Sequence, residues 1–157
     1  MESSLGYLLK EASSALRVSM EAVLRPLSMS ITHYSCLELL AQRPGLSGSE
    51  LARGAFVTRQ SMNVLLQALE RDGLVVRPEQ PAVGRVLPTE LTPRGHRQLA
   101  AASAAVREVE DRMTSTLSAD ERSNLSDLLS RCVSSLHPNG LPSGQVGPLG
   151  SRQAHRA

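Results

Sequence analysis

Between Thr58 and Gly73 the chain gathers side chains suited to one kind of chemistry. Arg59, Gln60, Ser61 and Asn63 crowd the first turn and a half of a stretch with helical spacing. Arginine can fork onto the edge of guanine, and glutamine or asparagine onto adenine; threonine and serine hydrogen-bond phosphate. Thr58 stands where the helix must begin, so it serves as an N-cap, a phosphate contact, or both. Val64, Leu65, Ala68 and Leu69 are the expected apolar back of this helix.

Such a polar nose is useful only if neighbouring elements present it. Upstream, Ser47-Gly48-Ser49-Glu50 reads as a capping box opening a helix of about two turns through Leu51, Ala52 and Arg53, with Gly54 as its stop. Downstream, Gly73 ends the second helix, Leu74–Arg77 reads as a strand, and Arg85–Leu91 as its return. A loop containing Pro78, Pro81 and Gly84 joins them into a hairpin. Two short helices followed by a hairpin wing form a DNA-docking arrangement in which the second helix enters the major groove.

The run Leu69-Glu70-Arg71-Asp72-Gly73-Leu74-Val75-Val76-Arg77, with Leu91-Thr92-Pro93-Arg94-Gly95 after the wing, resembles the MarR family of bacterial winged-helix transcription regulators. With helix order included, the resemblance covers most of residues 5–136. It implies a homodimer that binds a pseudo-palindromic double-stranded DNA operator, commonly as a repressor, and that a small acidic or phenolic effector or oxidation can release. Arg85 matches the family's wing arginine, for the minor groove or phosphate, and Arg77 is a further candidate contact that could instead pair with Glu79. The wing departs from the family pattern at Val83, where an aspartate ordinarily holds the arginine. That departure favours a rival reading, a winged-helix dimer that has lost DNA binding and holds another protein. The intact polar nose argues against it.

The fold class expected is mainly α with a small β-wing, a winged helix-turn-helix with flanking dimerisation helices. The 157 residues suit one domain, and an aromatic content of 2 % leaves a core of Leu, Val, Ala and Met, which favours helix-on-helix packing. Net charge is only +2, but residues 43–97 carry eight arginines against five acids, and 137–157 carry Arg152 and Arg156 with no acid. Cys36 and Cys132 lie in apolar stripes without metal-ligand spacing, so a buried, reduced pair is expected and no metal or cofactor. The flanking Leu37, Leu39 and Leu40 argue against Cys36 as a redox switch. With no signal-like start and no apolar run near membrane length, a cytoplasmic protein is expected. No phosphate loop, nucleophile elbow or paired carboxylates mark an enzyme.

The remaining elements are helical. Leu5, Leu8, Leu9, Ala12, Leu16, Met20, Val23, Leu24 and Leu27 define a long first helix over 5–28. Ser30 caps a second, with Ile31, Tyr34, Leu37, Leu40 and Ala41 inward, which opens the winged helix-turn-helix of residues 30–91. Thr92-Pro93 starts a helix carrying Leu99, Ala102, Val106, Val109, Met113 and Leu117. The capping box Ser118-Ala119-Asp120-Glu121 starts the last, with Leu125, Leu128, Leu129, Cys132, Val133 and Leu136 on one side. Residues 1–136 thus form one domain in which 5–28 and 93–136 have apolar stripes left over for a symmetry mate, while 137–157 have the composition of a disordered tail. The family's ligand pocket lies between the dimer helices and the winged part, which makes Tyr7, Arg17, His33 and Tyr34 its candidate lining here.

Overall fold

A computed structural model describes residues 4–77 and 88–137. The wing tip with Val83 and Arg85, and the tail from residue 138, lie outside the described residues. Helix α1 (Leu5–Leu24) runs through a 3-10 turn (Arg25–Leu27) into α2 (Ile31–Gln42); α3 (Gly48–Gly54) and α4 (Arg59–Arg71) follow. Strands β1 (Val75–Val76) and β2 (Glu90–Leu91) pair antiparallel, with Val75 opposite Leu91 and Val76 opposite Glu90. The chain ends in α5 (Pro93–Met113) and α6 (Ala119–Leu136).

Local chemistry sets most of these boundaries. Ser4, Ser30, Ser47, Thr58, Thr92 and Ser118 each cap a helix by accepting from a backbone N–H in its first turn, which satisfies a donor the helix cannot. Ser47/Glu50 and Ser118/Glu121 form reciprocal capping boxes. At the other end of α4, Gly73 takes φ +71°, and the Gly73 and Leu74 amides donate to the Glu70 and Leu69 carbonyls. This double closure ends the helix and turns the chain straight into β1.

Packing joins the two halves of the molecule. α1 lies along α5, α2 packs on α5, α3 and β2, and α3 on α4. Tyr34, Leu37 and Leu40 of α2 meet Leu51, Met62, Leu66 and Leu69 from the helix-turn-helix in one core, which Leu99, Ala102 and Val106 continue into α5. The Gln98 side-chain amide donates to the Leu27 carbonyl at 2.8 Å, pinning α5 to the end of α1.

A second joint lies at the base of the wing. Thr92 donates its amide to the Leu74 carbonyl at 3.0 Å and its hydroxyl to the Gly73 carbonyl at 2.6 Å, while accepting from the Gly95 amide at 3.0 Å. One threonine therefore ties the end of α4 to the start of α5. Gly95 is buried here, and the position requires glycine because a Cβ would be driven into the Leu74 carbonyl. The Leu-Thr-x-x-Gly pattern thus has a mechanical reason.

The outer helices end differently. No residue of α6 is buried and it makes no substantial contact with another described element. Leu125, Leu128, Leu129, Val133 and Leu136 stand exposed, as do Met113 of α5 and Leu5, Leu8 and Leu9 of α1. Cys36 is buried as expected, whereas Cys132 is exposed, because α6 has nothing in its own chain to pack against. Burial pushes the Cys36 thiol up to about 12, which keeps it protonated and unreactive at neutral pH.

Candidate nucleic-acid interface

The expected apolar back of α4 is out of phase with the structure. Met62, Leu66 and Leu69 are buried, Leu65 and Ala68 are half-buried, and Val64 is 62 % exposed. The core of α2 and α3 sits over the 62/66/69 stripe, which turns Val64 outward with Gln60, Asn63 and Gln67. Sequence reasoning missed Val64 as a surface residue. A branched apolar side chain amid hydrogen-bonding neighbours is suited to a thymine methyl.

The other nose residues stand where they were expected. Arg59, Gln60, Ser61 and Asn63 are exposed, and among the described residues no hydrogen bond or ion pair engages the side chains of Arg59, Gln60 or Asn63. Thr58 accepts from the Ser61 amide at 3.1 Å and donates its hydroxyl to Ser61 Oγ at 2.9 Å, so the Thr58 proton is committed to the cap while the Ser61 hydroxyl keeps its own proton to donate. Free amides in the first turn of α4 add the positive end of a helix dipole, the electrostatics a phosphate needs. Arg77 is held by Glu70 at 3.1 Å rather than reaching outward freely. Arg85 lies outside the described residues.

The proposed ligand-lining residues do not converge. Arg17 borders an open groove of about 710 Å³ between α1 and the segment leading into α2, with Ser13, Met20, Arg25, Met29 and Ile31. Arg17 also lies 3.6 Å from Glu21 in an exposed pair one turn apart on α1. Tyr7 is on the exposed N-terminal part of α1 and does not line the groove. Tyr34 is a core residue at 0 % exposure, its phenol 3.4 Å from Ser103 Oγ. Burial pushes that phenol's pKa up. His33 is spent on structure: its Nδ1 accepts from the Ser30 amide at 3.1 Å, and its own amide donates to Ser30 Oγ at 3.1 Å. Among the described residues no group of three His, Cys, Asp or Glu could hold a metal ion, and no helix is long and apolar enough to cross a membrane.

The His33 cap carries a pH dependence. Only the neutral ring can accept at Nδ1, and burial lowers its pKa from the ordinary 6.5, an effect that the Asp72 carboxylate partly opposes. The unfolded chain then binds the proton more readily than the folded one, so stability is full above about 6.5 and declines as pH falls toward the folded pKa. The melting temperature should drop on acidification through this window, and His33→Gln, which can close the same capping box without titrating, should remove that part of the drop.

A helix-turn-helix whose second helix buries one face and presents a polar first turn, braced by a two-stranded ribbon, defines a winged-helix DNA-binding regulator. The MarR family model matches residues 27–86. The chain is 40 % identical over 130 residues to the HTH-type transcriptional repressor Rv2887 of Mycobacterium tuberculosis, covering 83 % of this chain and 94 % of that one. The structure of Rv2887 in complex with DNA superposes with a TM-score of 0.73 at 38 % identity, over 83 % of this chain and 98 % of the other. Rv2887 in complex with salicylic acid gives 0.69 at 40 %, over 83 % and 97 %. The transcriptional repressor CouR bound to a 23-mer DNA duplex gives 0.75 at 32 %, over 83 % and 92 %. The chain belongs to the MarR family.

Proposed function

We propose that this protein is a cytoplasmic transcriptional repressor that binds a two-fold-symmetric operator as a homodimer and catalyses no reaction. The observation that carries the reading is the exposed, uncommitted first turn of α4, where Arg59, Gln60 and Asn63 are free to meet base edges over a buried Met62–Leu66–Leu69 back. Ser61 donates its hydroxyl to phosphate at the helix end that Thr58 caps, Arg77 braces the wing base through Glu70 beside the backbone, and Arg85 supplies the wing cation. The exposed apolar faces of α1, α5 and α6 support pairing of two copies, which sets two α4 helices about one turn of DNA apart.

A small aromatic acid is the proposed effector. The groove sets Arg25, which has no ion pair among the described residues, and Arg17, which Glu21 of the same lining pairs at 3.6 Å, beside Leu16, Met20, Met29 and Ile31, so that Arg25 can take the carboxylate of an aromatic ring that the apolar side chains cover. Salicylate binding by the mycobacterial relative supports the same ligand class. Selection of duplexes from a random-sequence pool, followed by gel shift at two salt concentrations with and without millimolar salicylate, tests both halves. The expected result is a palindromic duplex bound by a particle of twice 16.9 kDa and released by the acid. Failure to enrich any sequence would move the weight to the protein-interaction reading.

A further inference from the structure

Phe56 departs twice from what folding alone favours. It lies in the turn between α3 and α4 with φ +57°, the left-handed region that disfavours a side chain, most of all a bulky one. It is also 87 % exposed, the most exposed of the large hydrophobic residues among those described. Its neighbours Ala55 and Val57 are half-buried and pack against the core, so the ring itself adds nothing to that packing. The turn is held by backbone bonds that a glycine would make equally well: the Phe56 amide donates to the Arg53 carbonyl at 3.3 Å, and the Val57 amide to the Ala52 carbonyl at 3.0 Å. The ring therefore costs stability through both conformation and hydration. A strained, exposed residue of this kind points to a role outside the fold.

Its surroundings indicate what it meets. Phe56 is two residues before Thr58, the cap of α4, and Arg53 and Arg59 flank it, both exposed and without an ion pair among the described residues. An apolar ring between two unpaired cations, beside a helix end whose amides attract anions, is poorly placed for an apolar protein partner. It is well placed for the sugar-phosphate backbone, where arginines take phosphates and a ring lies on deoxyribose or a thymine methyl. Resting on the operator-binding reading, we propose that Phe56 is a DNA contact. It seats the helix-turn-helix by packing on the deoxyribose face at the edge of each half-site, between the phosphates taken by Arg53 and Arg59. Its contribution is apolar, so it acts on affinity without changing the number of counterions released.

Two substitutions, Phe56→Gly and Phe56→Asn, test this in the full chain, because both tolerate the left-handed turn. The probe is the duplex that wild-type protein selects from a random pool; if wild type selects none, the operator reading itself has failed. The expected result is a melting temperature equal to or above wild type in both variants, binding to the selected duplex weaker by about tenfold, and an unchanged slope of log affinity against log salt. Phe56→Leu should recover part of the loss. Unchanged affinity in Phe56→Gly, with wild type still binding, would overturn the proposal. A fall in melting temperature in both variants would likewise overturn it, by showing that the ring packs within the protein dimer.

Discussion

Gly95→Ala is expected to destabilise the fold by about 3 kcal/mol, as for other overpacked core sites. The added methyl meets backbone, which cannot rotate away: the Leu74 carbonyl occupies that space, with Leu91 Cδ2 at 3.2 Å. Leu74 cannot retreat readily, since it is buried, its amide closes the end of α4, and its carbonyl accepts from Thr92. Relief would require lifting α5 off the wing base and losing the Thr92 bonds, so the cost should appear as a lowered denaturation midpoint in the full chain. A shift equivalent to less than 1 kcal/mol would mean that α5 slides freely at this point.

Loss of the reading side chains should have a comparable effect on binding without touching the fold. The double variant Arg59→Ala/Gln60→Ala removes two side chains that are exposed and form no bond among the described residues. The Thr58 cap and the buried Met62, Leu66 and Leu69 remain, so melting should be unchanged. Each well-placed bidentate contact to a base is worth about 1–3 kcal/mol of discrimination. Affinity for the selected duplex should fall a hundredfold or more, whereas affinity for random DNA should fall only by what the two lost cations of a dimer, one per subunit, contribute. Equal losses on both duplexes would show that this turn touches phosphate alone.

What could be read from the amino acids was what local chemistry decides. The Ser47/Glu50 and Ser118/Glu121 boxes, the Thr92-Pro93 start and the Gly73 stop all involve partners within a few residues, and each is found in place. The phase of α4 was not legible, because Met62, Leu66 and Leu69 and the set Val64, Leu65, Ala68 and Leu69 both keep helical spacing. Packing from α2 and α3 chooses between them, and that is a tertiary fact. The role of His33 in the Ser30 cap was not legible for a different reason: histidine is not the usual partner in a capping box, so the pairing left no pattern to recognise. Tyr34 showed helical spacing consistent with the core it occupies, and only the family analogy drew it toward a pocket. Cys132 depends on a surface that a single chain lacks.

The Thr92 joint has a mechanical consequence. Because one side chain bonds to the end of α4 and to the first turn of α5, a rotation of α5 would be passed to α4 as through a bell crank whose fulcrum is the wing base. The arm is the 13-residue α4, roughly 20 Å long at 1.5 Å per residue. A tilt of about 10° at the fulcrum swings the far end by about 3.5 Å, close to the rise of one base pair. In a symmetric pair both arms swing, so a rotation too small to disturb the core would throw Arg59 and Gln60 out of step with the groove.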